Sequence, residues 1–328
     1  MVKKLVFLGM GGTIAGTAQS AGDNVGYTAA QVGVQQLLDA VPGLHSVLAG
    51  CQALSEQVCQ IDSKDLIEGD WVALLARASH HLAQSDVAGV VVTHGTDTLE
   101  ETAYFLERTV PAALLAHKAL VLTCAMRPAS SLAPDGPANM ADAASVALSP
   151  GAHGVMVVCA GKIHGAVRVQ KVHPYRVDAF DSGEAGAVGV VEEGRVRLFK
   201  GWPEPQEPQH ELDLAYLQAQ GWPRVELLTS HAGASGALVH ALLQAPQAKN
   251  PLRGIVVAGT GNGTLHKDLE AALREAQAQG VRVLRTSRCA YGQLVGGAAV
   301  ASTGAFVAST LSAVKARIGL MLDLAGGQ

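Results

Sequence analysis

Two short stretches hold hydroxyls and charges from which covalent chemistry could be built. The first is Gly9-Met10-Gly11-Gly12-Thr13-Ile14-Ala15-Gly16, which closes the chain's opening apolar run. Glycines let backbone N–H groups approach an anion closely. Thr13 falls at the carboxyl end of an expected strand, where open parallel sheets bind ligands. The spacing does not fit a Gly-x-Gly-x-x-Gly dinucleotide turn. Read alone, the motif is either a structural turn with a capping threonine or an anion-binding turn holding a nucleophile. Gly22, Asp23 and Gly26 suggest a mobile loop running to Tyr27.

The second stretch is His94-Gly95-Thr96-Asp97-Thr98-Leu99-Glu100-Glu101-Thr102-Ala103, which follows the β-branched run Gly89–Thr93. Thr96 and Asp97 therefore also stand at a strand's carboxyl end, just before a helix. One reading makes Asp97 or Thr98 an N-cap, with Glu100 and Glu101 complementing the helix dipole. That reading accounts for the acids but not for a threonine–aspartate pair after a His-Gly turn. His94 invites a general-base role, though a single histidine beside a strand end is more often structural.

The elements that must position these residues alternate along the chain. Val2–Leu8, Gly89–Thr93, Leu120–Thr123 and Val155–Cys159 read as buried strands. Ala29–Ala40, Leu66–Leu82, Leu99–Arg108 and Asn139–Leu148 carry helical apolar spacing, with Ser63 as an N-cap before the second. This alternation predicts an α/β fold with a mostly parallel sheet covered on both faces. Gly186–Val191 and Arg195–Phe199 look like a β-hairpin. Pro203, Pro205 and Pro208 then interrupt regular structure. Beyond them Val225–Thr229, Gly254–Ala258 and Val281–Thr286 read as strands, and Ser309–Leu324 as a closing helix. The expected organisation is a larger α/β domain at 1–200, a linker at 201–222 and a smaller α/β domain at 223–328.

Composition narrows the function classes. The chain has 328 residues, 48% hydrophobic, with a formal net charge of −4 and no Lys/Arg block, which argues against a nucleic-acid partner. The apolar stretch Lys3–Met10 is too short to span a membrane and reads better as a first strand than as a signal peptide. The five cysteines (Cys51, Cys59, Cys124, Cys159, Cys289) form no metal-like pairs and fit reduced thiols in a cytoplasm. Cys59, Cys124 and Cys159 adjoin apolar runs as small hydrophobes.

Taken together and in order, Gly-Gly-Thr-Ile-Ala-Gly and Thr-His-Gly-Thr-Asp-Thr-Leu-Glu-Glu-Thr-Ala resemble the double signature of bacterial L-asparaginases, over essentially the whole chain. The resemblance implies hydrolysis of the side-chain amide of L-asparagine through a threonine acyl-enzyme, with no cofactor. Thr13 matches the nucleophile, and Tyr27 the loop tyrosine that closes beside it. Ser63 matches the serine that binds the substrate's α-carboxylate. Thr96, Asp97 and Lys171 match a Thr–Lys–Asp triad, with Asp97 also holding the α-ammonium group. Gly12 and Gly95 are expected to face the substrate through their backbones, and Thr264 to reach a neighbouring subunit's site. The resemblance further implies a homotetramer built as a dimer of dimers.

Elementary chemistry is compatible with these roles. A threonine hydroxyl is a weak nucleophile and needs a nearby base. A lysine serves as one only when neutral, a form that burial favours. Judged locally, Lys171 is a surface residue on a basic stretch with Arg168 and Arg176. Two departures from the family pattern bear on substrate choice. Lys64 stands where many relatives carry glutamine or glutamate against the bound amino acid. After Thr286-Ser287-Arg288, where dual-specificity relatives supply a partner-subunit glutamate, no acidic residue occurs from Cys289 to Leu322. Little glutaminase activity is therefore expected. Two other readings compete. One is the asparaginase-like ammonia-supplying subunit of a tRNA-dependent amidotransferase, which normally carries an extra domain before its first Gly-Gly-Thr. The other is a non-catalytic amino-acid-binding module, which would not need both threonines.

Overall fold

The computed structural model describes residues 2–206, 212, 217, 219, 221–244, 250–296 and 306–326. It divides into two compact units, Met1–Pro208 and Gln209–Gln328. Much of the expected linker, including 207–211 and 213–216, lies outside the described residues.

The first unit is a three-layer α/β structure around an eight-stranded sheet. Its strands in chain order are β1 (Lys4–Gly11), β2 (Gln52–Ile61), β3 (Val87–Thr93), β4 (Ala119–Thr123), β5 (Gly154–Cys159), β6 (Lys162–Gly165), β9 (Gly189–Glu192) and β10 (Arg195–Leu198). Their spatial order is β10-β9-β6-β5-β4-β3-β1-β2. The five from β5 to β2 run parallel, and the other three pair antiparallel. A separate two-stranded ribbon joins β7 (Gln170–Lys171) to β8 (Phe180–Asp181). Helices α1 (Val34–Asp39), α2 (Leu44–Leu48) and α6 (Gly136–Ala147) cover one face; α3 (Glu68–Leu82), α4 (Leu99–Thr109) and α5 (Ala112–Leu115) cover the other. Alternation along β1 sends Leu5 and Phe7 to the first of these cores. Burying each such side chain stabilises the fold by roughly 1.5–3 kcal/mol. In the second unit β11 (Arg224–Thr229), β12 (Leu252–Gly259), β13 (Arg282–Ser287) and β14 (Val307–Ala308) form a parallel sheet. Helices α7 (Ala237–Gln244) and α8 (Lys267–Ala278) cover one face, and α9 (Ala313–Ala325) packs on β11 and β12.

The expected α/β class and parallel alternation are found, and the differences have local causes. The edge strand β2 escapes the sequence reading because its mixed Gln-Ala-Leu-Ser-Glu-Gln pattern is half-exposed; it becomes a strand by pairing with β1. The helix expected at Ala29–Ala40 starts only at Val34, because Gly33 is extended and Ala30 is left-handed (φ 56°). Ser63 does not cap α3: it starts a 3₁₀ turn five residues before Glu68, too early to reach the helix's free N–H groups. There Asp70 reaches back to the Ile67 N–H instead, at 3.0 Å. The hairpin is shorter than expected, Gly189–Glu192 with Arg195–Leu198. It turns on Glu193 and Gly194, both at positive φ, the geometry that matches strand twist.

Candidate active site

β1 and β3 lie side by side with Gly9 opposite Thr93, so the two motifs leave the sheet next to each other. The contact between their turns requires glycine on both sides. A Cβ on Gly12, whose φ is 82°, would lie 2.2 Å from Gly95 Cα. One on Gly95 would lie 2.5 Å from Ser63 Oγ. The Gly12 N–H donates to the Ile61 carbonyl at 2.8 Å, which ties in the end of β2. Thr13, Ser63 and Thr96 are all buried around this contact.

Thr13 is served from a loop. Its Oγ1 is 2.7 Å from the Tyr27 hydroxyl. The ring reaches it across Gly16, where a Cβ would come within 2.8 Å of Tyr27 Cδ2. A bridge between Thr17 and Thr28 closes the loop. Within it the Asp23 carboxylate accepts from the Val25 and Gly26 N–H groups, which hold its pKa below the usual range. The loop is stitched to the 129–132 segment by Ala18 N–H to Ser130 Oγ (2.8 Å) and Leu132 N–H to the Ala21 carbonyl (2.9 Å).

Charged groups serve Thr96 instead. Lys171, from the β7–β8 ribbon, donates to Thr96 Oγ1 at 2.9 Å and to Asp97 Oδ1 at 2.6 Å. The lysine side chain is mostly buried (15% exposed), whereas Asp97 is open (54%). The capping alternative for this motif holds in position but not in bonding. Thr98 stands at the N-cap without a capping bond, its hydroxyl donating to the Ser63 carbonyl at 2.9 Å. Asp97 turns to Lys171, and Glu100 and Glu101 occupy the first turn of α4.

His94 is structural. Its Nδ1–H donates to the Gly95 carbonyl (2.7 Å), so Nε2 accepts from the Thr102 hydroxyl (2.9 Å), which in turn accepts from Trp71 Nε1–H (2.9 Å). Burial pushes the imidazole down to about 4, against the Gly95 bond, which favours protonation. A neutral ring with both nitrogens engaged cannot act as a general base. This Trp71–Thr102–His94 chain was not legible in the sequence, where Trp71 and Thr102 read as ordinary helical residues.

The remaining expected residues divide. Ser63 joins the cluster through Gly95. Lys64 adjoins it, but its exposed ammonium pairs with Asp65 and, at 3.5 Å, with Asp62, so its charge is spent within its own turn. Thr264 belongs to the second unit. It forms a reciprocal backbone pair with Thr260 at 2.8 Å, with their hydroxyls 2.9 Å apart. Asn139, unremarked in the sequence, ties two strand ends: Nδ2 donates to the Cys124 carbonyl and Oδ1 accepts from the Ala160 N–H, both at 2.9 Å.

Comparisons with known proteins agree across the whole chain. The family model described as Asparaginase, N-terminal matches residues 4–204, and Glutaminase/Asparaginase C-terminal domain matches residues 224–328. L-asparaginase 2 of Escherichia coli is 34% identical over 98% of this chain and 88% of its own length. The Glutaminase-asparaginase of Pseudomonas fluorescens is 35% identical over 89% of this chain and 77% of its own. A crystal structure of a probable cytoplasmic L-asparaginase from Campylobacter jejuni superimposes with a TM-score of 0.87 at 33% identity, covering 98% of this chain and 95% of that one. Two facing glycine turns, each with a buried threonine, thus occur in a chain that belongs to the asparaginase family of amide hydrolases.

Proposed function

We propose that this chain is an L-asparaginase that hydrolyses L-asparagine to L-aspartate and ammonia through an acyl-enzyme on Thr13, with little glutaminase activity. The observation that carries the reading is the pairing of unlike threonines across the Gly12–Gly95 contact: Thr13 beside Tyr27, Thr96 beside Lys171 and Asp97. Thr13 Oγ1 attacks the amide carbon, and Tyr27 or the Thr96–Lys171–Asp97 group takes its proton and returns one to the leaving ammonia. Water then releases aspartate by the reverse path. Backbone N–H groups of the glycine-flanked turns steady the oxyanion in this reading. Ser63 receives the α-carboxylate, and the open Asp97 carboxylate receives the α-ammonium while Oδ1 keeps Lys171. The working enzyme is proposed to be a cytoplasmic homotetramer, with Thr264 contributing to a neighbouring subunit's site.

Substrate choice follows from how the head group is held. Relatives of this chain include both L-asparaginases and glutaminase-asparaginases, so the family leaves it open. Asp97 is the one clear carboxylate for the α-ammonium, because Cys289–Leu322 contains no acid. A lost charged hydrogen bond costs about 1.5–3 kcal/mol, and misplacing one methylene costs a further ~1–3 kcal/mol. Lys64 offers no compensation, since Asp62 and Asp65 already hold it. Steady-state kinetics on both amides tests this. Glutamine should be at least ~10-fold poorer in kcat/KM. Turnover of glutamine within about threefold of asparagine, under ~1 kcal/mol, would show that the missing carboxylate does not set specificity.

A further inference from the structure

Cys124 and Cys159 stand at the carboxyl ends of neighbouring parallel strands, one step beyond the paired residues Thr123 and Val158. Both are almost fully buried, and their sulfurs are 3.7 Å apart. Adjacent strands run about 4.8 Å apart, inside the roughly 4.4–6.8 Å Cα separation that a disulfide spans. Side chains at matched positions of parallel strands point the same way, so the two sulfurs share one face of the sheet. Asn139 holds the two strand ends together through the Cys124 carbonyl and the Ala160 N–H.

The pair is wired to the catalytic lysine. The Cys124 S–H donates to Cys159 Sγ, and the Cys159 S–H donates to the Val177 carbonyl at 3.8 Å. Val177 lies in the loop that joins Lys171 to Phe180, the two residues paired across the ribbon. We propose that Cys124 and Cys159 are a built-in modification site that closes to a disulfide under peroxide and thereby loosens the ribbon holding Lys171. One sulfur attacks a peroxide oxygen, giving a sulfenic acid and water. The second sulfur then displaces the hydroxyl as a second water, so two electrons pass from the thiols to the peroxide and both S–H protons leave. The Val177 carbonyl loses its S–H donor in that step. Cys124 stays protonated in the resting protein, its ionisation opposed first by the bond to Cys159 and then by burial.

The functional half of this inference rests on the asparaginase reading; the chemical half does not. The test treats the full chain carrying Cys289→Ala, which removes the exposed thiol, with hydrogen peroxide. It then unfolds the protein in iodoacetamide and maps peptides by mass. A Cys124–Cys159 cross-link with Cys51 and Cys59 alkylated is expected, together with a several-fold loss of asparagine turnover that dithiothreitol restores. Cys124→Ala should keep basal turnover and lose the reversible component, whereas Cys159→Ala, which itself removes the S–H donor to the Val177 carbonyl, should lower basal turnover in a way that dithiothreitol does not restore. Recovery of Cys124 and Cys159 both alkylated from treated protein overturns the proposal. A cross-link without any change in turnover overturns the connection to Lys171. If the untreated protein releases no ammonia, the function reading fails while the mass map still decides the disulfide.

Discussion

The two threonine turns occupy equivalent places at the ends of adjacent strands, yet they are held in opposite ways. Thr13 has a neutral partner, the Tyr27 hydroxyl, delivered by a loop that is mostly exposed. Thr96 has a charged pair above it and a fully hydrogen-bonded buried chain, His94–Thr102–Trp71, beneath the preceding residues. The contrast fits a division of labour. A hydroxyl that must form and break a covalent bond is served by a group that can move away. One that relays protons is fixed between charges whose geometry must not drift.

The strongest way to break this comparison is to remove each hydroxyl. Thr13→Ala and Thr96→Val should each lower kcat by roughly 10⁴-fold or more, with circular dichroism unchanged. Under the proposed division only wild type and Thr96→Val retain a nucleophile to acylate. An asparagine analogue carrying a good leaving group should therefore label Thr13 slowly in Thr96→Val and not at all in Thr13→Ala. Turnover like wild type in either variant would end the assignment.

Acid should separate the turns next. His94 titrates at about 4 in the folded chain against an ordinary 6.5, so the unfolded state binds the extra proton between those values. Its contribution is complete above pH 6.5 and is lost as pH falls toward about 4, by up to about 3 kcal/mol. Glu107 and Asp142, which burial pushes up to about 7 and about 6, work the other way: their contribution is lost as pH rises. In a Glu107→Gln, Asp142→Asn background, urea unfolding should therefore show stability falling steeply from pH 7 to 4. Adding His94→Gln should flatten that slope. A slope unchanged by His94→Gln would mean that the imidazole is not held neutral beneath the second turn.

The smallest effects sharpen the comparison by adding single methyl groups. Gly95→Ala drives a Cβ into Ser63 Oγ and back toward Gly12, two well-packed partners, and should cost about 1–3 kcal/mol of stability with a large fall in kcat. Gly16→Ala meets the edge of the Tyr27 ring at 2.8 Å, which the loop can withdraw, and the Thr13 backbone carbonyl at 3.0 Å, which must give by a few tenths of an ångström. It should cost less stability than Gly95→Ala, under about 1 kcal/mol, and act on turnover mainly by displacing Tyr27. Equal destabilisation by both would show that the Tyr27 loop is as rigid as the second turn.

Much of the site was readable because its signals are local. A glycine run at a strand end and a His-Gly-Thr-Asp turn declare themselves within a few residues, since strand burial and turn geometry act over that range. β2 was not readable: its residues alternate weakly, and only the neighbouring β1 makes them a strand. Ser63 drew notice as a helix cap and through the family motif; its burial against Gly95 depends on two turns that meet only in the folded chain.

The amino-acid sequence by itself therefore determined the α/β alternation, the two threonine turns and the absence of an acid from Cys289 to Leu322, because each is a matter of composition over a short span. Tertiary structure alone decided which groups those turns would meet. Lys171 reads locally as a surface lysine, yet it lies 2.9 Å from Thr96, 75 residues earlier in the chain. Lys64 reads as a nearby positive charge, yet its flanking aspartates hold it. Cys124 and Cys159 read as separate small hydrophobes, yet the register of β4 against β5 brings their sulfurs within 3.7 Å. The physical reason is common to all three. A side chain's chemistry depends on neighbours within a few ångströms, and which neighbours those are is set by strand order and register rather than by distance along the chain.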